Sequence, residues 1–430
     1  MRQSYRLGMF DLVMLVISLV IGMGIFRTPA TVAAKSGSET IFYLAWLAGG
    51  VIALCGALTF AEIGRRMPVT GAYYRVFAKA YHPLLAFGVN IIIVISNAAS
   101  AAGVSIIGAE YLGRIWPDAN VVLLACTFVA VLFGVNLIGL RTSVTMQNVL
   151  IGIKLLLLAA IICAPFLAEP ATAAVPAAAD AVSDNWLTAL GVSLIAVAFT
   201  YGGYQQTINF GGESSGSHNT HVSRAIIVGV ACITGIYLLA TWSYVQVLGF
   251  SSLAGSSAIA SLVMERLLGP TGERVVSIAM LISVFGYVNV SMLSNPRVVA
   301  AMAEDGMVSK RLVGHDLAKG RGVNVMTLTL YTALVMLCVF FGRSFETILN
   351  YTIFLDCIGM ATAAGALFLL GSTQPLSRGI VATAVVFIAS YLFIASSIYA
   401  DDPMAALAGL LLLAAVIGIK FLTDVLRSRK

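Results

Sequence analysis

The chain has 430 residues, of which 60% are hydrophobic and only 10% charged, and its mean hydropathy is +0.97. Soluble domains carry about 25% charged residues because their surfaces face water, so most of this chain must be solvated by lipid. The net charge of +6 does not indicate a nucleic-acid partner, since no basic run lies on a soluble segment and no aromatics interleave with the charges.

In chain order, Arg2 and Arg6 precede an apolar run that Gly22-Met23-Gly24 and Arg27 interrupt, which reads as a retained first helix rather than a cleaved leader. Apolar stretches of spanning length then predict twelve membrane helices, at about 8–34, 41–65, 84–112, 121–139, 146–167, 186–211, 224–248, 271–303, 324–342, 346–370, 379–398 and 404–424. The connecting loops are short, and the longest outer one, 168–185, is rich in Ala and Pro.

The first and sixth spans share a feature, with Ile21-Gly22-Met23-Gly24-Ile25-Phe26 in one and Phe199-Thr200-Tyr201-Gly202-Gly203-Tyr204 in the other. Glycine is costly inside a helix and lets the backbone unwind. In one span alone it would read as close helix packing. At the first and sixth positions it marks an inverted repeat of five spans each, with interrupted helices at corresponding places and a binding site at the midplane.

Charge orients the chain. With the N-terminus inside, 18 of the 25 Lys and Arg residues fall on cytoplasmic segments and six outside (Arg27, Lys35, Arg114, Arg266, Arg274 and Arg343), leaving Lys154 within a span. Retention of Lys and Arg in the cytoplasm predicts this asymmetry, so both termini are expected there.

No enzyme constellation emerges. Six cysteines lie in apolar stretches without a C-x-x-C pair, and four histidines, His82, His218, His221 and His315, lie in predicted cytoplasmic loops without metal-site spacing. No phosphate-binding Gly-Lys-Ser/Thr loop is present. No cofactor or metal is expected.

Four stretches together resemble a known family. They are Ile21 to Phe26; Ala61-Glu62-Ile63-Gly64 with Pro68, Gly71, Tyr73 and Tyr74; Phe199 to Glu213; and Ile282-Ser283-Val284-Phe285-Gly286 with Asn289, continuing to Pro296-Arg297 and Glu304-Asp305-Gly306. The sequence resembles the amino acid–polyamine–organocation superfamily, and within it the L-amino-acid-transporter-like permeases. The resemblance implies an all-α membrane protein of twelve helices with a LeuT-type 5+5 inverted repeat. The transporter core would be 1–370, its repeats about 8–167 and 186–370, and two further helices would occupy 371–430.

An amino acid zwitterion in a low dielectric needs donors for its carboxylate and acceptors for its ammonium. The resemblance implies that Met23 and Gly24 N–H groups, in the segment Ile21-Gly22-Met23-Gly24, bind the carboxylate. It implies that carbonyls of Val20, Phe199, Thr200 and Gly202 bind the ammonium. Met23 stands where the family has a small hydroxyl residue. Phe199 resembles the gating aromatic, and Gln205 and Ser283 line the same region by resemblance. Tyr204 and Tyr237 are candidates there, with core packing as the equal alternative. No charged cluster is available to grip a charged side chain, which favours neutral amino acids.

Lys154 lies eight residues into the fifth span, roughly 12 Å deep at ~1.5 Å per residue, and an ionisable residue at that depth is functional by default. The resemblance implies that its ammonium replaces the sodium ion of related carriers and bridges spans 1 and 8. Asp356, in span 10, matches no motif of the family; pairing with a polar neighbour, lining the vestibule and binding a proton all stay open. Asp11, Glu62, Glu110 and Glu213 near helix ends read as solvated or capping. Arg27 departs from the apolar or small residue expected after the break and is placed at the outer mouth.

The expected function is a sodium-independent, exchanger-like carrier of neutral amino acids in the bacterial cytoplasmic membrane. A proton-coupled symporter using Lys154, Asp356 or Glu110 is the alternative, and a non-transporting amino acid sensor the third reading. Lipid and a small-molecule substrate are the only partners implied.

Overall fold

The computed structural model describes residues 9–67, 72–113, 116–138, 140–167, 185–205, 219–256, 258–309, 325–342, 345–371 and 375–428. Among them all regular structure is helical. Lipid offers no partner for an open backbone group, and helices satisfy theirs internally.

The first predicted span is divided. α1 (Met9–Val20) stops, residues 21–23 are irregular, and a 3-10 turn (Gly24–Phe26) leads into α2 (Thr28–Ser36). Pro29 suits the first turn of α2, whose early N–H groups have no intrahelical acceptor, and Gly37 at φ 65° ends it. Then come α3 (Glu39–Arg66), α4 (Ala72–Ala80), α5 (Pro83–Gly113), α6 (Val121–Ile138), α7 (Leu140–Cys163) and α8 (Trp186–Tyr201). The remainder comprises α9 (Asn219–Leu248), α10 (Phe250–Ala254), α11 (Ile259–Leu268), α12 (Pro270–Glu304), α13 (Val325–Gly342), α14 (Phe345–Leu369), α15 (Arg378–Asp401) and α16 (Pro403–Ser428). Ser38, Asn185 and Ser377 cap α3, α8 and α15 through backbone N–H groups two or three residues on.

Six of these helices are long and apolar enough to cross a bilayer, and α6, α7, α8, α14 and α16 carry shorter apolar stretches. Two departures from expectation concern length. The sixth span, expected to run to 211, ends as helix at Tyr201, and residues 206–218 lie outside the description, as do 168–184 of the expected outer loop. The short connections between spans also contain helices. α10 and α11 fold from 250–268 and pack on α2, α9 and α12, while α4 packs on α5 and α14. Their apolar runs are below spanning length, so a count of spans passes over them.

The helices pack in two sets. α1 lies on α9, α2 on α8, and α3 on both α8 and α9. Separately, α5 packs on α6, α12 and α13, and α12 on α6 and α13. α7 rests on α12 and α9, and α14 on α5, α15 and α16. The two divided spans therefore stand side by side within one set.

Candidate substrate site between two broken helices

α1 ends because its hydrogen bonds stop. The last regular one runs from Ile21 N–H to the Ile17 carbonyl (2.9 Å), and the next begin at Phe26 N–H to Met23 (3.1 Å) and Arg27 N–H to Gly24 (3.0 Å). Among the described residues, the N–H groups of Gly22, Met23 and Gly24 donate to no backbone carbonyl. The Gly22 N–H donates instead toward the Tyr237 hydroxyl, and N–H groups left without carbonyl partners at the start of a helical turn favour negative charge. α8 stops in the same way: Gly202 N–H returns to the Phe199 carbonyl (3.2 Å), Gly203 takes φ 118°, and its N–H donates to Gln205 Oε1 (2.7 Å).

The breaks touch. A Cβ added to Gly24 would lie 2.8 Å from Thr200 Cα and 2.7 Å from its Oγ1, whereas one on Gly22 would find nothing nearer than the Val20 carbonyl at 3.8 Å. Gly24 is therefore glycine because α8 presses against it, and Gly22 borders open space. Thr28 Oγ1 donates to the Gly24 carbonyl (2.8 Å) and lies 2.5 Å from Thr200 Oγ1, itself 2.9 Å from the Ala196 carbonyl. Tyr237 of α9 completes the junction. Its hydroxyl is 3.1 Å from the Val20 carbonyl and 3.3 Å from that of Thr200, one at each break. Its ring packs on Trp46 and Tyr201 with centroids 5.8 and 5.0 Å away.

The structure thus brings together Val20, Ile21, Gly22, Met23, Gly24, Thr200 and Tyr237. Of the carbonyls expected to face an ammonium, those of Val20 and Thr200 share the one proton of the Tyr237 hydroxyl and that of Phe199 accepts from Gly202, each keeping a lone pair. Gln205 closes the α8 break with its own side chain. Tyr204 is fully buried among Phe60, Phe387 and Tyr391, and hydrogen bonds the Tyr391 hydroxyl. Of its two expected roles, the structure selects core packing. Ser283 of α12 is fully buried, and its hydroxyl has no hydrogen-bond partner among the described residues. Phe199 is half-buried.

Lys154 is only 4% exposed on α7, which packs on α12 and α9. Lipid does not hold a lysine at such depth without cost. Arg27 is 7% exposed. It donates from a terminal nitrogen to the Ser256 carbonyl between α10 and α11 (3.0 Å), and its Nε is 3.9 Å from Glu110 Oε2 of α5. Next to Glu110, the Tyr111 hydroxyl donates to the Phe26 carbonyl (3.0 Å). The solvated or capping role expected for Glu110 is replaced by this contact. Glu62 holds Arg65 and Arg66 at 2.6 and 2.8 Å. Sequence reasoning missed the Thr28–Thr200 pair; the only signal was that each lies within a few residues of its break, Thr28 after and Thr200 before. Among the described residues, no cluster of His, Cys, Asp or Glu could hold a metal.

Two interrupted helices joined side by side, in an all-helical chain of lipid-solvated composition, are the arrangement that membrane transporters share. The chain belongs to the amino acid permease family, whose profile matches residues 7–421, and thereby to the amino acid–polyamine–organocation superfamily. It is 29% identical to the serine/threonine exchanger SteT of Bacillus subtilis over 304 residues, 70% of this chain and 68% of that protein. It is 24% identical to the human large neutral amino acids transporter small subunit 2 over 87% of this chain and 71% of the relative. It is 25% identical to the mouse Asc-type amino acid transporter 1 over 99% of this chain and 82% of the relative.

Proposed function

We propose that the chain is a sodium-independent exchanger of neutral amino acids, working by alternating access in a cytoplasmic membrane with both termini inside. The observation that carries this reading is the pairing of the two breaks: the Met23 and Gly24 N–H groups donate to no backbone carbonyl, and the Tyr237 hydroxyl lies within reach of the Val20 carbonyl at one break and the Thr200 carbonyl at the other. A zwitterion's carboxylate and ammonium need such an arrangement of donors and acceptors at close quarters. The named relatives, an exchanger of serine and threonine and carriers of large neutral amino acids, support the substrate class. The two packed sets, α1/α2, α3, α8 and α9 against α5, α6, α12 and α13, match a 5+5 inverted repeat, with 1–370 as core and 371–430 as two added spans. Lys154 supports sodium independence, because a fixed buried ammonium on α7 leaves no need for a bound cation there.

Purified protein in proteoliposomes tests this. Labelled neutral amino acid should enter without sodium, and faster when unlabelled amino acid is preloaded. A requirement for external sodium would overturn the role of Lys154. Accumulation driven by a pH gradient alone would replace exchange by proton symport. For orientation, single cysteines at Ser309 and Ser428, in a background without the native cysteines, should label from the cytoplasmic side and one at Ser183 from outside.

A further inference from the structure

A cavity of about 410 Å³ lies away from the breaks, at the junction of α9, α10 and α11. Leu248 of α9, Ser252 of α10, and Leu262, Glu265 and Arg266 of α11 line it. Its size is that of a small-molecule site. Arg266 donates from a terminal nitrogen to the Val247 carbonyl at the end of α9, which fixes its guanidinium. Among the described residues its other N–H groups meet no acceptor, and the Glu265 carboxylate has no partner. Although adjacent in sequence, the two do not pair with each other. A carboxylate and a guanidinium that share a cavity without touching suit a ligand of the reverse charges, an anion beside a cation.

The surroundings show where such a ligand comes from. α11 also touches the turn Ala164–Phe166. There Phe166 and Leu167 are largely exposed, and the Phe166 ring packs on Trp242 of α9 with centroids 6.0 Å apart. Leu268, at the end of α11, is exposed as well. On a chain solvated by lipid such side chains face acyl chains, and Trp near a helix end marks the membrane–water interface. Trp242 lies six residues before Leu248, about 9 Å along α9. The cavity therefore sits just beyond the acyl layer, at the level of the headgroups.

We propose that this cavity holds the headgroup of a phospholipid with a primary ammonium, a phosphoethanolamine. Arg266 takes the phosphate, Glu265 the ammonium, and Leu248 and Leu262 the first carbons of the chains. The guanidinium fork matches phosphate oxygens. A primary ammonium brings three N–H donors to the carboxylate, whereas the trimethylammonium of choline brings none. A phospholipid without a cation leaves Glu265 facing like charge. α10 packs on α2, and the Ser256 carbonyl between α10 and α11 accepts from Arg27, so the lipid stands beside the second half of the first divided span. The inference needs only that the chain lies in a bilayer, and is independent of what the breaks hold.

Native mass spectrometry of the full chain tests it, with dioleoyl phosphatidylethanolamine, phosphatidylcholine and phosphatidylglycerol added in equal amounts to detergent-purified protein. Wild type should retain phosphatidylethanolamine at least about tenfold better than either of the others, since both lack the charged donor. Glu265→Gln should abolish that preference. Its carboxylate has no partner to lose, so its melting temperature in lipid-free detergent should equal that of wild type. Arg266→Gln, as a second variant, should weaken retention of all three lipids. The proposal is overturned if wild type shows no preference, if Glu265→Gln keeps it, or if free leucine displaces the lipid, which would make the cavity an amino acid site.

Discussion

Where α3 crosses α8 and α9, small residues and ring faces make the contact. Gly49 lies against Val197 and Tyr201, Gly50 against Thr234, and Trp46 packs edge-on to Tyr237. Where α5 and α6 cross α12 and α13, amides and hydroxyls make it instead. Asn136 donates to Asn289 Oδ1 and Asn97 to Asn295 Oδ1, each at 2.8 Å, and Asn295 reaches Ser291 and the Tyr331 hydroxyl. Lipid gives no hydrophobic push between helices, so packing and interhelical hydrogen bonds must hold both sets. Side chain to side chain bonds fix register, and a shift of an ångström breaks them. Smooth glycine contacts tolerate such a shift. In the first set, apart from the Thr28–Thr200 hydroxyl pair, the directional bonds end on backbone: Tyr201 donates to the Trp46 carbonyl (3.0 Å), and Tyr237 reaches Val20 and Thr200. One set is thus held largely through side-chain amides, and the other, which carries the breaks, largely through small residues and ring faces.

The sharpest test separates two glycines in the same break. Gly24→Ala puts a methyl group into Thr200, and overpacking of this kind costs about 1–3 kcal/mol, so its thermal stability should fall. Gly22→Leu projects into open space. Its melting temperature should stay near wild type, while stabilisation by neutral amino acids disappears. Equal loss of stability in both variants, or intact ligand stabilisation in Gly22→Leu, would remove the site from this break.

Lys154→Ala addresses the junction between the sets. Lys154→Ala removes a charge that is buried at the contact of α7 with α12 and α9, where an ionisable residue is functional by default. Exchange should fall by about two orders of magnitude, while amino acid affinity stays within a few-fold, because the contacts proposed for the substrate are on the broken helices. Binding that falls in step with exchange would move Lys154 into the substrate site.

A matched pair then compares the sets directly. Asn295→Ala should cost about 1–2 kcal/mol of stability and leave exchange per folded molecule unchanged. Tyr237→Phe keeps the ring and loses only the hydroxyl that ties the two breaks. It should weaken substrate affinity by about five- to tenfold, with little change in melting temperature. If Asn295→Ala alters affinity and Tyr237→Phe does not, the assignment of roles is reversed.

Much of this was legible in sequence because lipid imposes simple rules. Span length and the glycine pairs at 22, 24, 202 and 203 foretold the division of the first and sixth spans, since unwound backbone in a membrane is confined to places where protein or water satisfies it. Lys154 stood out by counting residues into its span, and the structure buries it. What stayed hidden depends on which face of a helix meets which neighbour. Gly22 and Gly24 look alike in sequence and differ only because Thr200 lies over one of them. Tyr237 could have been core or site until its hydroxyl was seen to reach both breaks. Arg27 and Glu110 are 83 positions apart, and no pattern along the chain relates them.

That last pair gives the smallest and most specific effect. Arg27 joins the start of α2 to the Ser256 carbonyl and approaches Glu110 of α5, while Tyr111 holds the Phe26 carbonyl. If α2 lies on the outer half of the membrane, as the Lys and Arg distribution implies, these contacts close the outer route to the breaks. They tie the set that carries the breaks to the second set through α5. Such a tie shifts the balance between outward- and inward-facing states by its own strength, and a charge-assisted bond with a partly buried ion pair is worth about 1–3 kcal/mol. Arg27→Ala should therefore raise the outward-open population by roughly five- to a hundredfold. A single cysteine at Ile25, in a background without the native cysteines, reports this as faster labelling by a membrane-impermeant thiol reagent added outside. Glu110→Gln, which keeps the shape and removes one charge, should give a smaller increase in the same direction. Combining the two should add little, because each removes part of the same contact. Unchanged labelling in Arg27→Ala would mean that the outer route is closed by packing alone; slower labelling would place α2 on the opposite side of the membrane.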